Sequence, residues 1–142
     1  MRLSLGFAFL LSILTIGIVA TEPNKCPVTL LKGYKHKGQF GIDSRPGTIY
    51  KDGGLIITYD ICGQAGCAIL PGNSRTDERF TAYTEQSING IIIRIAFKKA
   101  NPSECVMTLP KYYANFVAQI KTPQEMADML LMVLSFDSAF CK

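Results

Sequence analysis

The sequence has no tryptophan, a single histidine and only five cysteines, and these scarcities limit its chemistry. Most histidine-based catalytic pairs and most structural zinc sites need more of one residue or the other. Cys62 and Cys67 are separated by Gly-Gln-Ala-Gly, which is not the C-x-x-C spacing of redox and zinc motifs. The sequence also lacks a G-x-S-x-G motif, an H-E-x-x-H motif and a glycine-rich phosphate loop. We therefore predict no catalytic residue, no metal site and no cofactor.

The composition is that of a folded protein. Of the 142 residues, 48% are hydrophobic and 18% are charged, which excludes a disordered chain and a collagen-like repeat. The length suits one domain. The net charge of +4 is too small to indicate a nucleic-acid-binding protein by itself.

Residues 1–20 have the pattern of a secretory signal peptide. Arg2 gives a short basic region, residues 5–19 are uncharged and mostly apolar, and Ala20 offers a small residue for cleavage before Pro23. The alternative is an uncleaved signal anchor, since the apolar run approaches the length of a bilayer span. We expect cleavage, which leaves residues 21–142 as a single secreted, extracellular domain with no transmembrane segment.

The strongest local signal in the mature chain is a β-hairpin within residues 79–99. Asn89-Gly90 is typical of a two-residue type I′ turn. This loop places Glu85 opposite Arg94, an attractive cross-strand pair. It also places four apolar side chains of the second strand on one face: Ile91, Ile93, Ile95 and Phe97.

Weaker signals predict more strands before this hairpin. Asp52-Gly53 indicates a second hairpin, in which residues 47–51 pair with residues 54–62 and Ile49 faces Ile56. Residues 62–67 resemble a tight reversal, because two glycines supply backbone freedom. Residues 26–32 could add an edge strand, a position that tolerates Pro27.

After Pro110 the spacing favours helices. Five apolar or aromatic residues fall on one face of a predicted helix: Tyr112, Tyr113, Phe116, Val117 and Ile120. A second helix begins at a capping box, Thr122-Pro123-Gln124-Glu125, and runs to about Ser135. That helix is apolar on most faces and is expected to be buried, although a dimer or ligand contact is the alternative. Together these patterns predict an α+β fold, an antiparallel β-sheet built from hairpins with a C-terminal helical segment packed on it.

The cysteines predict a disulfide-stabilised fold, because a secreted chain matures in an oxidising compartment. The candidates are Cys26, Cys62, Cys67, Cys105 and Cys141. Five cysteines leave one unpaired, either as a free buried thiol or as an intermolecular disulfide, and the sequence does not choose the pairing.

The single histidine lies in a basic segment that is predicted to be a surface loop. We assign a candidate binding site to this segment and one following arginine: Lys32, Tyr34, Lys35, His36, Lys37 and Arg45. Three interpretations are open, namely a solvated surface, a site for a polyanion or acidic partner, and a phosphate-binding site in which His36 transfers a proton.

In layout the chain resembles the small secreted cysteine-containing effector proteins of plant-pathogenic fungi. The resemblance rests on a signal peptide, about 120 mature residues and a few widely spaced cysteines that reach the last residues. It implies a non-enzymatic virulence-type protein that binds a protein or polyanionic target outside the producing cell. Alternatives are a secreted ribonuclease-like hydrolase centred on His36, a killer-toxin-like protein and a small-ligand-binding protein whose pocket is lined by the methionine-rich helix.

Overall fold

A computed structural model describes residues 25–62 and 78–141. The predicted signal peptide and the predicted reversal after Cys62 lie outside these residues. Seven strands and one α-helix are described: β1 (Tyr34–Gly38), β2 (Ser44–Lys51), β3 (Ile56–Cys62), β4 (Phe80–Ile88), β5 (Ile91–Lys98), β6 (Asn101–Leu109), β7 (Ala114–Gln119) and α1 (Pro123–Leu134). Short 3₁₀ turns cover Pro110–Tyr112 and Ser138–Cys141.

All seven strands form one antiparallel sheet in the order β1-β2-β3-β7-β6-β5-β4. Two meanders, β1 to β3 and β4 to β7, join where β7 pairs with β3. The helix α1 follows β7 and packs on one face of the sheet, where Met129 and Met132 contact the core that contains Ile57 and Phe116. We call this the inner face and the opposite one the outer face. The α+β architecture with a C-terminal helix on hairpins is therefore confirmed.

The β4–β5 hairpin has the predicted register. Asn89 and Gly90 form the turn with φ of 52° and 77°, and Glu85 lies opposite Arg94 with a 2.7 Å contact between carboxylate and guanidinium. Ile93 and Ile95 are buried on the inner face. The Asn-Gly turn and the alternation of apolar side chains, both within residues 79–99, are sufficient to determine this hairpin.

The β2–β3 hairpin turns at the predicted place but with a different register. Ile49 pairs with Ile57 and not with Ile56, because Gly54 adds a third residue to the loop and the Lys51 N–H donates to the Leu55 carbonyl at 3.1 Å. This register buries Ile49 and Ile57 completely. Ile56 consequently faces solvent on the outer face, with 58% of its surface exposed.

The helix predicted for residues 112–120 is wrong, because this segment is the central strand β7. Phe116 pairs with Tyr59 of β3 on one side and with Met107 of β6 on the other. Phe116, Ala118 and Ile120 lie at alternate positions and pack on the same inner-face core. The strand period of two therefore also produces the i, i+4 spacing of Phe116 and Ile120, without a helix. Tyr113, at a φ of 48°, ends the preceding 3₁₀ turn and directs the chain into the sheet.

The edge strand predicted at residues 26–32 is also wrong. The edge strand on this side of the sheet is β1, which contains the basic segment that we expected to be a loop. Residues 26–32 instead run beside the end of α1, where the Pro27 carbonyl accepts a hydrogen bond from the Asp137 N–H. The Thr29 N–H donates to the Ser135 hydroxyl at 2.8 Å, so the segment is held by hydrogen bonds to residues at the end of α1 and not by a strand ladder.

The predicted capping box opens α1. The Thr122 hydroxyl accepts the Glu125 N–H at 3.2 Å, and the Glu125 carboxylate accepts the Thr122 N–H at 3.1 Å. The helix buries Met129, Met132 and Val133, whereas Leu131 is 57% exposed. Its burial is thus confined to one side. In the described parts of the chain, no helix has the length and apolar character needed to cross a bilayer.

The described side chains include Cys26 and Cys105, and both are free thiols. Cys105 is completely buried on the inner face, with its sulfur 4.0 Å from that of Met126. Burial raises the pKa of the Cys105 thiol to about 12, so it carries no charge at neutral pH. No disulfide is present among the described residues, and the described side chains do not include those of Cys62, Cys67 and Cys141.

Candidate binding surface on the first hairpin

Alternation along β1 divides the predicted site between the two faces of the sheet. Residues directly opposite each other in an antiparallel pair share a face. His36 lies opposite Ile49, which lies opposite Ile57, so His36 belongs to the inner face. Lys35 and Lys37, its neighbours in the strand, belong to the outer face.

Tyr34 is a structural residue of the inner face. It is 8% exposed, and its hydroxyl donates a 2.8 Å hydrogen bond to the Asp128 carboxylate of α1. Burial and the hydrogen bond to Asp128 both raise the pKa of the Tyr34 phenol, so the hydroxyl keeps its proton as a donor. This hydrogen bond joins the edge strand β1 to the helix α1.

His36 contacts the phenol of Tyr59, which lies two strands away. Its Nε2 atom is 2.7 Å from the Tyr59 hydroxyl oxygen, and the rings stack with an interplanar angle of 15°. Burial raises the pKa of the Tyr59 phenol, so the hydroxyl keeps its proton in this contact. Gly47 of β2 makes the contact possible, because a Cβ atom there would lie 2.3 Å from the Tyr59 hydroxyl oxygen.

Arg45 is directed toward the C-terminal 3₁₀ turn. Its guanidinium donates a hydrogen bond to the Phe140 carbonyl and lies 5.3 Å from the centroid of the Phe140 ring. Phe140 is itself buried at 8% exposure. Arg45 therefore stabilises the packing of the chain end, and its charge is directed away from the lysines of β1.

The lysines of the predicted site are exposed. Lys32 lies in the turn before β1, and Lys35 and Lys37 project from its outer face. The Lys35 ammonium pairs with the Asp52 carboxylate at 2.5 Å. This hydrogen bond raises the pKa of Lys35, so the residue remains charged at neutral pH.

The structure therefore divides the residues of the predicted site into two sets, which lie on opposite faces of the sheet. The first set faces the inner side. It comprises Tyr34, His36 and Arg45, which contact Asp128, Tyr59 and Phe140, respectively. Lys35 and Lys37 form the second set, which lies on the outer face of an edge strand. Within the described residues β1 pairs with β2 alone, so its other side presents backbone N–H and C=O groups that a further strand could bind.

The contribution of Tyr59 is not apparent from the sequence alone. The signal that points to it is the pair of glycines in adjacent strands, since Gly38 lies opposite Gly47 and Gly47 lies opposite Tyr59. Glycine within a strand often marks a close approach of another group. That inference requires the register, which the sequence does not give.

A row of polar side chains crosses the outer face of the central strands. Cross-strand pairs connect its members: Asp60, Asn115, Thr108, Arg94 and Glu85. Thr108 and Asn115 are buried, and the Thr108 hydroxyl donates to the Asn115 side-chain oxygen at 3.0 Å. Within the described part of the chain, the buried Oδ1 of Asp60 has no hydrogen-bond partner, and no cluster of three or more His, Cys, Asp or Glu side chains could hold a metal ion.

Comparison with known proteins adds no assignment. The chain matches no protein-family model, no curated protein and no solved structure.

Proposed function

We propose that the chain is a secreted, non-catalytic binding protein of the effector or virulence type. Its contact surface comprises the outer face of β1, with Lys35 and Lys37, and the adjacent edge of that strand, with which no described strand pairs. The target is an acidic protein or a polyanion outside the producing cell. The single observation that carries the proposal is the division of the basic segment between the two faces of the sheet.

A hydrolase centred on His36 receives less support from this division. Phosphate-transfer chemistry needs the imidazole and the cations to converge on one group. His36 instead stacks on Tyr59 across the inner face, and Arg45 bonds to a backbone carbonyl. Lys35 and Lys37 are left on the outer face, an arrangement that suits electrostatic recognition of a partner and does not assemble a reacting centre.

We include in the proposal a disulfide framework in which four of the five cysteines pair and one remains unpaired. We assign the unpaired position to Cys105, because it is completely buried beside Met126 and no partner chain can reach it. Cys26, which is unpaired among the described residues, would then join Cys62, Cys67 and Cys141 in two bridges within the chain. Peptide mapping of the non-reduced secreted protein would give both bridges and the cleavage site after residue 20.

Binding to immobilised heparin, a defined polyanion, tests the contact surface. Lys35→Glu with Lys37→Glu should lower the salt concentration at which the protein elutes, because two attractive charges become repulsive. The matched control is Lys99→Glu with Lys121→Glu, which changes the net charge equally at exposed lysines elsewhere. The control should elute close to wild type.

Equal effects of the two double variants would show that only net charge matters and would contradict a localised surface. The ribonuclease-like alternative has its own measurement, the cleavage of RNA by wild type and by His36→Ala. Cleavage that disappears in His36→Ala would replace the binding proposal with a catalytic one.

A further inference from the structure

The loop between β1 and β2 exposes two large apolar side chains. Phe40 is 82% exposed and Ile42 is 101% exposed. Among the described residues, the other exposed large hydrophobic side chains, those of Ile56, Ile92 and Leu131, occur singly on the sheet and the helix and are 47–58% exposed. Isolated exposed apolar residues are ordinary, whereas two at the tip of one loop form a small apolar surface.

The backbone of this loop is held in place. The Gln39 N–H donates to the Pro46 carbonyl at 2.9 Å, which closes the base of the loop. Gly41 packs so tightly that a Cβ atom there would lie 2.6 Å from the Ser44 carbonyl oxygen. With Gly41 against the opposing backbone, Phe40 and Ile42 on either side of it project into solvent.

Positive charge precedes this tip along the chain. Lys35 and Lys37 are exposed on the outer face of β1, the strand that leads into the loop, and the Lys35 ammonium is paired with the Asp52 carboxylate. Asp43, at the end of the loop, is the one carboxylate in residues 34–45. Apolar residues that insert together with nearby lysines provide the two signals that reversible attachment to an anionic membrane requires.

We propose that the loop at residues 39–43 binds the surface of an anionic lipid bilayer. Phe40 and Ile42 enter the boundary between headgroups and acyl chains, and Lys37 contacts the headgroups. A lipid surface fits better than a protein pocket, since two side chains provide far less than the ~800 Å² per partner of a standard protein interface. This inference goes beyond the proposed binding function and does not depend on it.

The first test is sedimentation of the purified protein with phosphatidylcholine vesicles that contain phosphatidylserine. Phe40→Ser with Ile42→Ser should lower the partition coefficient by about tenfold or more, because the apolar contribution is lost. The matched control, Ile56→Ser with Leu131→Ser, removes two exposed apolar side chains elsewhere and should sediment like wild type. Asp43→Asn should increase binding, since it removes a charge that anionic lipid repels.

The second test uses the absence of tryptophan from the chain. Phe40→Trp introduces a single fluorophore, whose emission should shift to the blue with the anionic vesicles and be quenched by brominated acyl chains. Leu131→Trp should show neither change. Absence of wild-type sedimentation, or equal behaviour of the two tryptophan variants, would overturn the proposal. Heparin elution of Phe40→Ser with Ile42→Ser should match wild type, which separates failure of this inference from failure of the proposed function.

Discussion

The phenol ring of Tyr59 lies directly against the backbone of Gly47, and a Cβ atom on Gly47 would be 2.3 Å from the Tyr59 hydroxyl oxygen and 2.4 Å from the adjacent ring carbon. The side chain of Tyr59 thereby reaches across β2 to His36 of β1. Because Gly47 has no side chain, the Tyr59 side chain of β3 can lie over β2 and contact β1 on the inner face.

Gly47→Ala should destabilise the protein by about 1–3 kcal/mol, because Tyr59 must leave its position or the strands must separate. Urea denaturation measures the loss. Gly54→Ala is the control, since a Cβ there would lie 3.6 Å from the nearest Lys51 side-chain atom, an ordinary contact. Equal stability of Gly47→Ala and wild type would contradict the described packing of Tyr59.

Tyr34→Phe should lower the free energy of unfolding by about 1–2 kcal/mol, because it removes a hydrogen bond to a carboxylate in a partly buried place. The contact joins β1 to α1 at 2.8 Å. In a double-mutant cycle with Asp128→Ala, the two substitutions should be less than additive. Additive effects would mean that the hydroxyl and the carboxylate do not interact in solution.

Exchange of the charges at residues 85 and 94 tests the β4–β5 register in solution. Glu85→Arg and Arg94→Glu should each be destabilising, and the double exchange should recover ~0.2–1 kcal/mol as is usual for exposed pairs. Thermal denaturation at low and high salt measures this coupling, which should shrink as salt rises. A coupling of zero at low salt would show that the pair contributes nothing to the hairpin.

Native Cys105 should resist alkylation. Burial raises the pKa of its thiol to about 12 from an ordinary 9.0, so the reactive thiolate is absent near neutral pH. The unfolded chain releases this proton at lower pH than the folded one, so the contribution of Cys105 to stability should fall as the pH rises from 9.0 toward 12. Cys105→Ala should not show that decrease.

Mass spectrometry after iodoacetamide treatment checks the accessibility of the thiol. Label at Cys105 should appear only after unfolding, and no other cysteine should be labelled without reductant if the proposed two bridges are present. Rapid labelling of the folded protein at Cys105 would contradict its burial.

Asp137 should give stability a dependence on acid pH. The Ala139 N–H and the Lys25 ammonium lower the pKa of this carboxyl from its ordinary value of 3.8. A lowered pKa in the folded state contributes stability above the unfolded pKa, and that contribution disappears as the pH falls through the folded pKa. The melting temperature of Asp137→Asn should therefore lie below that of wild type at neutral pH.

The difference in melting temperature between wild type and Asp137→Asn should close in strong acid, where the carboxyl is protonated in both states. Asp43→Asn, at an exposed loop position, removes one carboxylate without touching the contacts of Asp137 and serves as the control for the change in net charge. A difference between wild type and Asp137→Asn that persisted at low pH would point to a cause other than charge.

The elements that the sequence predicted correctly have their signals within a few residues of one another. Asn89-Gly90 determines the β4–β5 register through turn geometry, and the capping box determines the first turn of α1 through hydrogen bonds between Thr122 and Glu125. These interactions are local, so they are similar in almost any surrounding structure. The α+β class followed from such elements together.

Only the tertiary structure determined the conformation of residues 112–120 and of the basic segment. The apolar spacing around Phe116 fits one face of a helix and one face of a strand equally well, and the ladders supplied by β3 and β6 select the strand. Likewise, nothing local shows that His36 faces Tyr59 while Lys35 and Lys37 face outward. The pairing of β1 with β2 determines that division, because side chains alternate between faces once a segment joins a sheet.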